Sequence, residues 1–344
     1  MSYITIESLR ETTQELLKTW QVPKEQAKVI TDTIVYAHTH EKHTHGITRM
    51  PIYEKKMRLG LMPRNTVVEK IMDTVSMTVF DCNNGFGQIA ADIAMRNCIE
   101  KAKKTGVGIS FVRNSNNFGV AGYFGEIAAN EEMVGMVVTS SGPAVAPPGG
   151  TRSIFGTNPI CYAFPSKNGN IVLDMAISEA ARGKIRLAEK NGEKIPFGWA
   201  VDREGNPTDN PTEALKGNML AIGGVKGFGL AMSIDILAGL LSGSAFGGEI
   251  KPLGAEDAPS RHGHMMLAID ISKLMTVEEY DKKIEQLILA VKGCGEDGNI
   301  YMPGEKSGRN ALKNAVKVEL KDKQIQDYNE LAEKFEVANR LESV

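Results

Sequence analysis

Apolar side chains recur at helical spacing through the first sixty residues of the chain. They return every three to four positions over residues 6–20, 27–37 and 51–60, and Pro23 separates the first two runs. The pattern predicts three helices in this part of the chain. A further amphipathic stretch over residues 310–335 could pack back on these helices.

After Pro63 the pattern changes to short apolar runs that alternate with longer helical ones. Strands are predicted over residues 66–71, 76–81, 107–112, 134–139, 161–164, 171–175 and 265–269, and helices over residues 89–104, 122–130, 178–190 and 277–292. This alternation indicates an α/β body. We therefore predict a helical domain formed by residues 1–70 with 310–344, and an α/β domain over residues 71–309.

Two segments rich in glycine interrupt this pattern. Residues 140–150 form a loop too rich in glycine and proline to be the interior of an element, and Phe155–Pro159 follows it. Such loops often present backbone donors at a site, although a long surface connection has the same composition. Residues 223–229 open a strongly apolar helix that runs to Leu241. A glycine-rich turn with a lysine at a helix N-terminus is suited to receive phosphate.

Neither standard nucleotide-binding motif occurs. No Gly-x-Gly-x-x-Gly follows a predicted strand, and Glu305 interrupts the Gly-Lys pair that a P-loop would need at Gly304. A dinucleotide could therefore bind, but not through the usual fingerprint.

Composition narrows the class of protein. With 344 residues, 42% of them hydrophobic, the chain can bury one large or two medium cores. The formal net charge of -2 comes from 40 basic and 42 acidic residues that are well mixed, so we predict neither a nucleic-acid nor a membrane partner. The four cysteines lack Cys-x-x-Cys spacing and no signal peptide precedes them, which predicts buried, reduced thiols and a cytoplasmic location. They are Cys82, Cys98, Cys161 and Cys294.

Candidate chemistry is concentrated in one short stretch that holds four of the six histidines, namely His38, His40, His43 and His45. The pKa of an unperturbed histidine lies near physiological pH, which suits proton transfer. Arg49 could grip a substrate carboxylate with its planar guanidinium, and Tyr53 lies one helical turn further on. His45 is the strongest candidate, because Gly46 allows close backbone approach and Arg49 follows.

Two other interpretations of this stretch stay open. Four histidines could bind a metal, but their spacing matches neither His-Glu-x-x-His nor an association with Cys-x-x-Cys, so we predict no metal site. Alternatively, most of these histidines are solvated loop or helix-end residues.

Seven motifs, in order along nearly the whole chain, resemble those of the malate/L-lactate dehydrogenase family of type 2, which also includes L-sulfolactate and ureidoglycolate dehydrogenases and diketogulonate reductases. Each motif is weak alone, but their order and spacing together are specific. The motifs are Thr44–Tyr53, Asn114–Gly119, Phe155–Pro159, Leu173–Ala176, Ile195–Ala200, Val225–Gly229 and Pro303–Glu305.

The resemblance implies a mixed-sheet, non-Rossmann α/β body that binds a nicotinamide cofactor, NAD or possibly NADP, in a homodimer. It places His45 and Asn117 at the catalytic position and Arg49 against the substrate carboxylate, with Thr44 and Tyr53 also on the substrate side. The residues that it implies for cofactor binding are Ser140, Ser141, Asn158, Asp174, Met175, Ala176, Lys226, Gly227, Pro303, Gly304 and Glu305.

The sequence departs from the family pattern at two positions. Thr44 stands where many members have serine, which keeps a hydroxyl group. Asn117 stands where many members have a histidine assigned as the catalytic acid/base, and an amide cannot exchange a proton at neutral pH. Either His45 carries the proton alone, or the activity has drifted or been lost.

Three functions follow from these observations. The leading hypothesis is hydride transfer between NAD(P) and a small 2-hydroxy or 2-oxo acid, with malate the first choice, an L-lactate-like acid close to it, and ureidoglycolate or L-sulfolactate as alternatives. A non-catalytic nucleotide-binding homologue is favoured only by Asn117. A metal-dependent hydrolase built on the histidine stretch is the third.

Overall fold

The computed structural model describes residues 1–295 and 299–344. Strands in these residues are β1 Ser2–Thr5, β2 Glu69–Asp73, β3 Met77–Asp81, β4 Val107–Ser115, β5 Met133–Thr139, β6 Ile160–Phe164, β7 Ile171–Met175, β8 Ala200–Val201, β9 Asn218–Met219, β10 His262–Asp270 and β11 Lys317–Leu320. Helices are α1 Ile6–Thr19, α2 Lys24–Thr39, α3 Met50–Arg58, α4 Gly87–Thr105, α5 Ala121–Ala129, α6 Arg182–Asn191, α7 Pro211–Lys216, α8 Val225–Ile234, α9 Val277–Lys292, α10 Glu305–Lys313 and α11 Asp322–Lys334.

The centre of the described structure is a seven-stranded sheet in the order β2-β3-β4-β10-β5-β6-β7. Strands β3 and β4 are parallel, and the other neighbours are antiparallel. A parallel pair needs a crossover connection, and α4 provides it between β3 and β4. The predicted α/β fold with a mixed sheet is confirmed.

Helices cover both faces of this sheet, as the alternation of side chains along its strands shows. Val137 and Met266 join the core beneath α4 and α5, whereas their chain neighbours Val138 and Met265 join the core beneath α8. Helix α4 ends where predicted, because Gly106 adopts the left-handed conformation with a φ of 87° and its N–H donates to the carbonyl of Ala102.

The two ends of the chain form one layer. Strands β1 and β11 pair antiparallel, and the apolar faces of α1, α2, α3 and α11 share a single core. Leu9 and Leu16 from the N-terminal segment pack in this core with Tyr328 and Leu331 from the C-terminal segment. The packing joins the segments that we assign to a helical domain, while the domain boundaries themselves stay a prediction.

Some elements differ from the sequence prediction. The amphipathic stretch after residue 310 contains strand β11 as well as helices. The helix predicted from Ser178 begins only at Arg182, because Ser178 forms a bridge with Ala221 and keeps the chain extended. The strand predicted from Thr66 begins at Glu69, because the backbone N–H of Thr66 donates to the side chain of Gln26.

The cysteines are all free, but not all buried. Cys82, Cys98 and Cys161 are buried, whereas Cys294 is exposed at the end of α9, so the expectation of burial is wrong for Cys294. The cytoplasmic location inferred from cysteine usage stays a prediction. Within the described residues, no helix combines the length and apolarity needed to cross a membrane.

Candidate active site

The histidine stretch forms a tight corner between α2 and α3. Two 3₁₀ turns, His43–His45 and Ile47–Arg49, meet at Gly46. The Nε2 atom of buried His38 accepts a hydrogen bond of 2.9 Å from the backbone N–H of Ile47. A Cβ atom at position 46 would lie 2.1 Å from that Nε2 atom, so only glycine fits there. His38 is therefore a structural residue of the corner.

His45 lies half-buried at this corner. Its Nδ1 atom is 3.1 Å from the hydroxyl oxygen of Thr44. Burial, together with the positive charges of Arg49 and Lys42, lowers the pKa of His45 to about 3. The imidazole is therefore neutral at physiological pH and can donate or accept a hydrogen bond.

Arg49 extends from the second turn with its Nε atom buried and without a hydrogen-bond partner in the described part of the chain. Burial lowers the pKa of Arg49, and the charge of Arg186 on α6 adds to this effect. The two guanidinium groups are thus close enough to repel each other, although Arg186 is exposed. An anionic ligand between them would relieve that repulsion.

Tyr53 is fully buried one turn beyond Arg49, and its hydroxyl accepts a hydrogen bond of 2.9 Å from the Nε2 atom of Gln88. The Oε1 atom of Gln88 is buried, and none of the described residues bonds to it. Tyr53 and Gln88 thus form the inner wall beside Arg49.

Asn117 approaches the same corner from the end of β4. Its Oδ1 atom accepts a hydrogen bond of 3.1 Å from the backbone N–H of Gly119. A Cβ atom on Gly119 would lie 4.0 Å from the backbone oxygen of His45, and one on Gly87 would clash with the backbone of Asn117. The structure therefore brings His45, Arg49, Asn117 and Gln88 together from three separate segments.

A cavity of about 440 Å³ lies beside this corner, between the end of α2, strand β7 and residues 301–310. Asp174, Pro303 and Gly304 line it, so three residues assigned to cofactor binding share one cavity. Gly304 has a φ of 81°, and a Cβ atom there would lie 2.7 Å from the backbone oxygen of Val172. Glu305 lies next to the cavity and forms ion pairs with Lys292 and Arg309.

Carboxylates line one side of this cavity. Burial raises the pKa of both Asp174 and Glu126. For Asp174, a hydrogen bond of 3.1 Å from the backbone N–H of Gly122 opposes this rise. Met175 and Ala176 continue the chain from Asp174 out of β7.

The chain after β7 leads from the cavity to the glycine turn that precedes α8. Ile177 accepts a backbone hydrogen bond of 2.9 Å from Ile222, and Gly223 and Gly224 follow with φ values of 57° and 62°. The path from Asp174 to Ser178 bends at Ile177 and spans at most about 13 Å. It connects the cavity with the N-terminus of α8.

The start of α8 leaves its backbone donors free of a side-chain cap. Lys226 is exposed there, and a Cβ atom on Gly227 would lie 2.0 Å from the backbone oxygen of Ile222. Uncapped N–H groups and a lysine at a helix N-terminus fit a pyrophosphate. The cavity and this turn together fit an extended dinucleotide.

The remaining residues assigned to cofactor binding make hydrogen bonds to other parts of the protein. Asn158 is fully buried, with its Oδ1 atom accepting from the N–H of Ser141 and its Nδ2 atom donating to the carbonyl of Ala231 on α8. The hydroxyl of buried Ser140 accepts from the N–H of Gly263. These side chains hold the loop after β5 against α8 and β10.

Sequence reasoning missed several residues of this region because they come from separate elements. Gln88 on α4, Arg186 on α6 and His262 on β10, whose pKa the charge of Arg49 lowers, belong to no local motif that points to the histidine corner. Among residues 1–295 and 299–344, the structure contains no group of three His, Cys, Asp or Glu side chains placed to hold a metal ion.

Comparison with known proteins identifies the chain as a dehydrogenase of hydroxy acids. It belongs to the malate/L-lactate dehydrogenase family, whose sequence model matches residues 4–328, so the resemblance seen in the motifs is confirmed. Membership implies a nicotinamide cofactor.

Individual relatives are similar over their whole length. The malate/(S)-sulfolactate dehydrogenase of Methanothermus fervidus is 36% identical over 97% of this chain and 98% of its own. The solved structure of the sulfolactate dehydrogenase of Methanocaldococcus jannaschii is 34% identical to this chain, with a TM-score of 0.92. The match covers 97% of this chain and 98% of that one. The malate dehydrogenase structure from Pyrococcus horikoshii is 31% identical, with a TM-score of 0.89, and the match covers 100% of this chain and 97% of that one.

Proposed function

We propose that this dehydrogenase interconverts a small 2-hydroxy acid and its 2-oxo acid, and that the substrate carries a second anionic group. Malate is the first candidate and sulfolactate the second. The observation that carries the proposal is the guanidinium of Arg49, whose buried Nε atom has no hydrogen-bond partner among the described residues, beside the charge of Arg186. Two neighbouring cations favour a dianion over lactate. The names of the relatives, malate and sulfolactate dehydrogenases, support the same choice.

In this proposal each residue of the corner has a role. Arg49 binds the 2-carboxylate, and the neutral imidazole of His45 bonds to the substrate oxygen, either to polarise it or to move its proton. The hydroxyl of Thr44 holds the His45 ring, and Tyr53 with Gln88 closes the inner wall. When bound, the nicotinamide exchanges a hydride with the carbinol carbon.

We propose NAD rather than NADP as the cofactor. Asp174 and Glu126 line the cavity, and carboxylates suit ribose hydroxyls better than an added phosphate. The cofactor would extend from the cavity, past Met175 and Ala176, to the turn at Lys226 and Gly227, with Pro303, Gly304 and Glu305 at its other side. Ser140, Ser141 and Asn158 would act by holding the adjoining loop.

A panel of 2-oxo acids assayed with both reduced cofactors tests the function. We expect turnover of oxaloacetate or sulfopyruvate with NADH, with pyruvate at least about tenfold less efficient because one ion pair, worth about 1.4 kcal/mol, is missing. Pyruvate as the best substrate would contradict the two-cation argument. No turnover of any acid, together with measurable NADH binding, would favour the non-catalytic homologue suggested by Asn117.

The Lys226→Glu variant tests the cofactor groove. Charge reversal at the start of α8 should raise the cofactor dissociation constant by about tenfold or more, because it removes attraction to the pyrophosphate and adds repulsion. Isothermal titration calorimetry measures this constant. Lys282→Glu, an equal charge change at an exposed lysine of α9, serves as the control and should have no effect. Unchanged affinity in Lys226→Glu would remove Lys226 from the site.

We also propose that the protein is a homodimer formed through α8 and the π-helical turn Asp235–Leu240 that continues it. Large apolar side chains are exposed along this segment, and a second copy could cover them. They are Val225, Leu230, Met232, Ile236, Leu240 and Leu241.

The Ile236→Asp variant tests the dimer. A buried carboxylate in an apolar interface is costly, so the variant should sediment as a monomer at concentrations where the wild type is a dimer. Leu289→Asp, an exposed leucine on α9, is the matched control and should leave the dimer intact. A wild-type monomer in sedimentation velocity at tens of micromolar would reject the proposal.

A further inference from the structure

His262 is a buried histidine at the start of β10, outside every motif described above. It is 4% exposed, and its Cα pairs with that of Ser115 at the end of β4. Asn117 comes two residues after Ser115. Two neighbouring strands therefore bring His262 and Asn117 to the same edge of the central sheet.

One hydrogen bond fixes which nitrogen of the His262 ring carries the proton. Its Nδ1 atom lies 2.9 Å from the backbone oxygen of Ser140, which can only accept, so Nδ1 carries the hydrogen and Nε2 keeps its lone pair. The Nε2 atom is buried, and nothing in the described residues bonds to it. Such a nitrogen is a proton acceptor without a present partner.

Burial and nearby positive charges keep the ring neutral. The pKa of His262 is lowered to about 4, chiefly by burial and with smaller contributions from Lys56 on α3 and Arg49 in the preceding turn, while the hydrogen bond to Ser140 opposes this change. The imidazole of His264 on the same strand is the other titratable neighbour, and burial keeps it neutral as well.

His264 provides an internal comparison. Its Nδ1 atom lies 2.7 Å from the hydroxyl of Thr139, and its Nε2 atom lies 2.9 Å from the hydroxyl of Ser115. Both ring nitrogens are thus used inside the protein. Of the two histidines on β10, only His262 has a nitrogen left for a ligand.

Of the buried side-chain atoms that lack a hydrogen-bond partner in the described residues, three belong to residues around Arg49, which we call the Arg49 cluster: Arg49 Nε, Gln88 Oε1 and His262 Nε2. The charge of Arg49 acts on His262 and on Tyr53, and the hydroxyl of Tyr53 accepts from Gln88. A 2-hydroxy acid offers what the cluster lacks, namely a carboxylate for Arg49 and a hydroxyl hydrogen for an acceptor.

We propose that His262 is a catalytic residue and that its Nε2 atom takes the proton of the substrate hydroxyl. The proposal rests on the function proposed above and gives His45 the remaining role of hydrogen-bond donor to the substrate oxygen. Asn117, at the same sheet edge, has no titratable group to compete for the proton.

The step balances with this assignment. In oxidation, the C–H bond at carbon 2 breaks and its electron pair leaves with the hydride to the cofactor. The O–H bond breaks, its electron pair forms the second bond of the carbonyl, and the proton goes to Nε2. The carbonyl of Ser140, which accepts from Nδ1–H, stabilises the resulting imidazolium. Reduction reverses both transfers.

The His262→Asn variant tests the proposal, because an asparagine amide can still donate to the carbonyl of Ser140 but cannot titrate. Its kcat in both directions should fall by about a hundredfold or more, with the cofactor dissociation constant and melting temperature near those of the wild type. A kcat within about threefold of the wild type would overturn the assignment.

A second variant separates catalysis from folding. Adding Asn117→His to His262→Asn places a titratable ring at the same sheet edge, and kcat should recover by about tenfold or more with a new ionisation in its pH profile. If His262 were only structural, Asn117→His would change kcat by the same factor in the wild type as in His262→Asn, and that outcome would count against the proposal.

Nitrogen-15 NMR of histidine-labelled wild type gives a readout that needs no turnover. The His262 resonances should show a protonated Nδ1 and a bare Nε2, and the Nε2 signal should shift when malate is added together with NADH, a pair that cannot react. A protonated Nε2, or an Nε2 chemical shift that does not change when malate is added, would reject the role of His262. Wild-type protein that binds malate at His262 but turns over no acid would instead reject the proposed function.

Discussion

His45→Ala is expected to lower turnover by about a hundredfold to a thousandfold while the cofactor dissociation constant changes by less than about twofold. The imidazole lies at the Gly46 corner, is held by Thr44 and stays neutral because burial and Arg49 lower its pKa to about 3. It can therefore donate a hydrogen bond to the substrate oxygen on which negative charge develops. Removing one such donor from an active site has an effect of this size.

Stopped-flow measurement of a single turnover separates this effect from product release, and calorimetry with NADH supplies the binding control. The His45→Gln variant distinguishes the two roles considered for the residue. Glutamine keeps an N–H donor but cannot titrate, so a clear recovery over alanine supports hydrogen bonding, while equal loss in both variants supports proton transfer by His45. Near wild-type turnover in His45→Ala would remove the residue from the site.

The second large effect is expected from Arg49→Lys. Lysine keeps the positive charge but loses the planar, bidentate guanidinium, and its shorter reach leaves a carboxylate incompletely bonded in a buried pocket. We expect kcat/KM for the 2-oxo acid to fall by about thirtyfold or more, equivalent to about 2 kcal/mol of lost interaction with a charged group. Cofactor affinity should stay near that of the wild type.

Arg58→Lys is the matched control for this change. Arg58 ends the same helix, α3, and its exposed side chain lies 3.6 Å from the carboxylate of Glu54, away from the substrate corner, so the same substitution should leave kcat/KM unchanged. If Arg49→Lys retains full efficiency on every acid of the panel, the substrate carboxylate binds elsewhere.

The sequence predicts those parts of the fold that local patterns specify. Helix α4 and its end at Gly106 follow from apolar spacing and a glycine cap, and the α/β class follows from the alternation of elements, while the mixed sheet is implied by the family resemblance. Pairing between β1 and β11 has no local signal, because each strand has only four residues and gains its partner from the far end of the chain. The sequence does not predict strands β8 and β9 either, because each has only two residues.

The candidate site divides in the same way. His45 and Arg49 stand in one motif and could be named from the sequence. His262 could be identified only through its hydrogen bond to Ser140 and its Nε2 atom, which no described residue bonds, since 144 residues lie between Asn117 and His262 along the chain. Lone histidines in apolar strands are ordinary core residues, and His264 beside it is one.

The pairing of β1 with β11 has a consequence for how the protein folds. Ser2 pairs with Leu320, so this contact closes a loop of more than three hundred residues, and such closure carries a large entropic cost. The corner that holds Arg49 belongs to this layer, because Met50 and Tyr53 share its core. The central sheet can form from nearer neighbours in the chain. During refolding we therefore expect regained activity to report the meeting of the two ends, and to lag behind the formation of the central sheet.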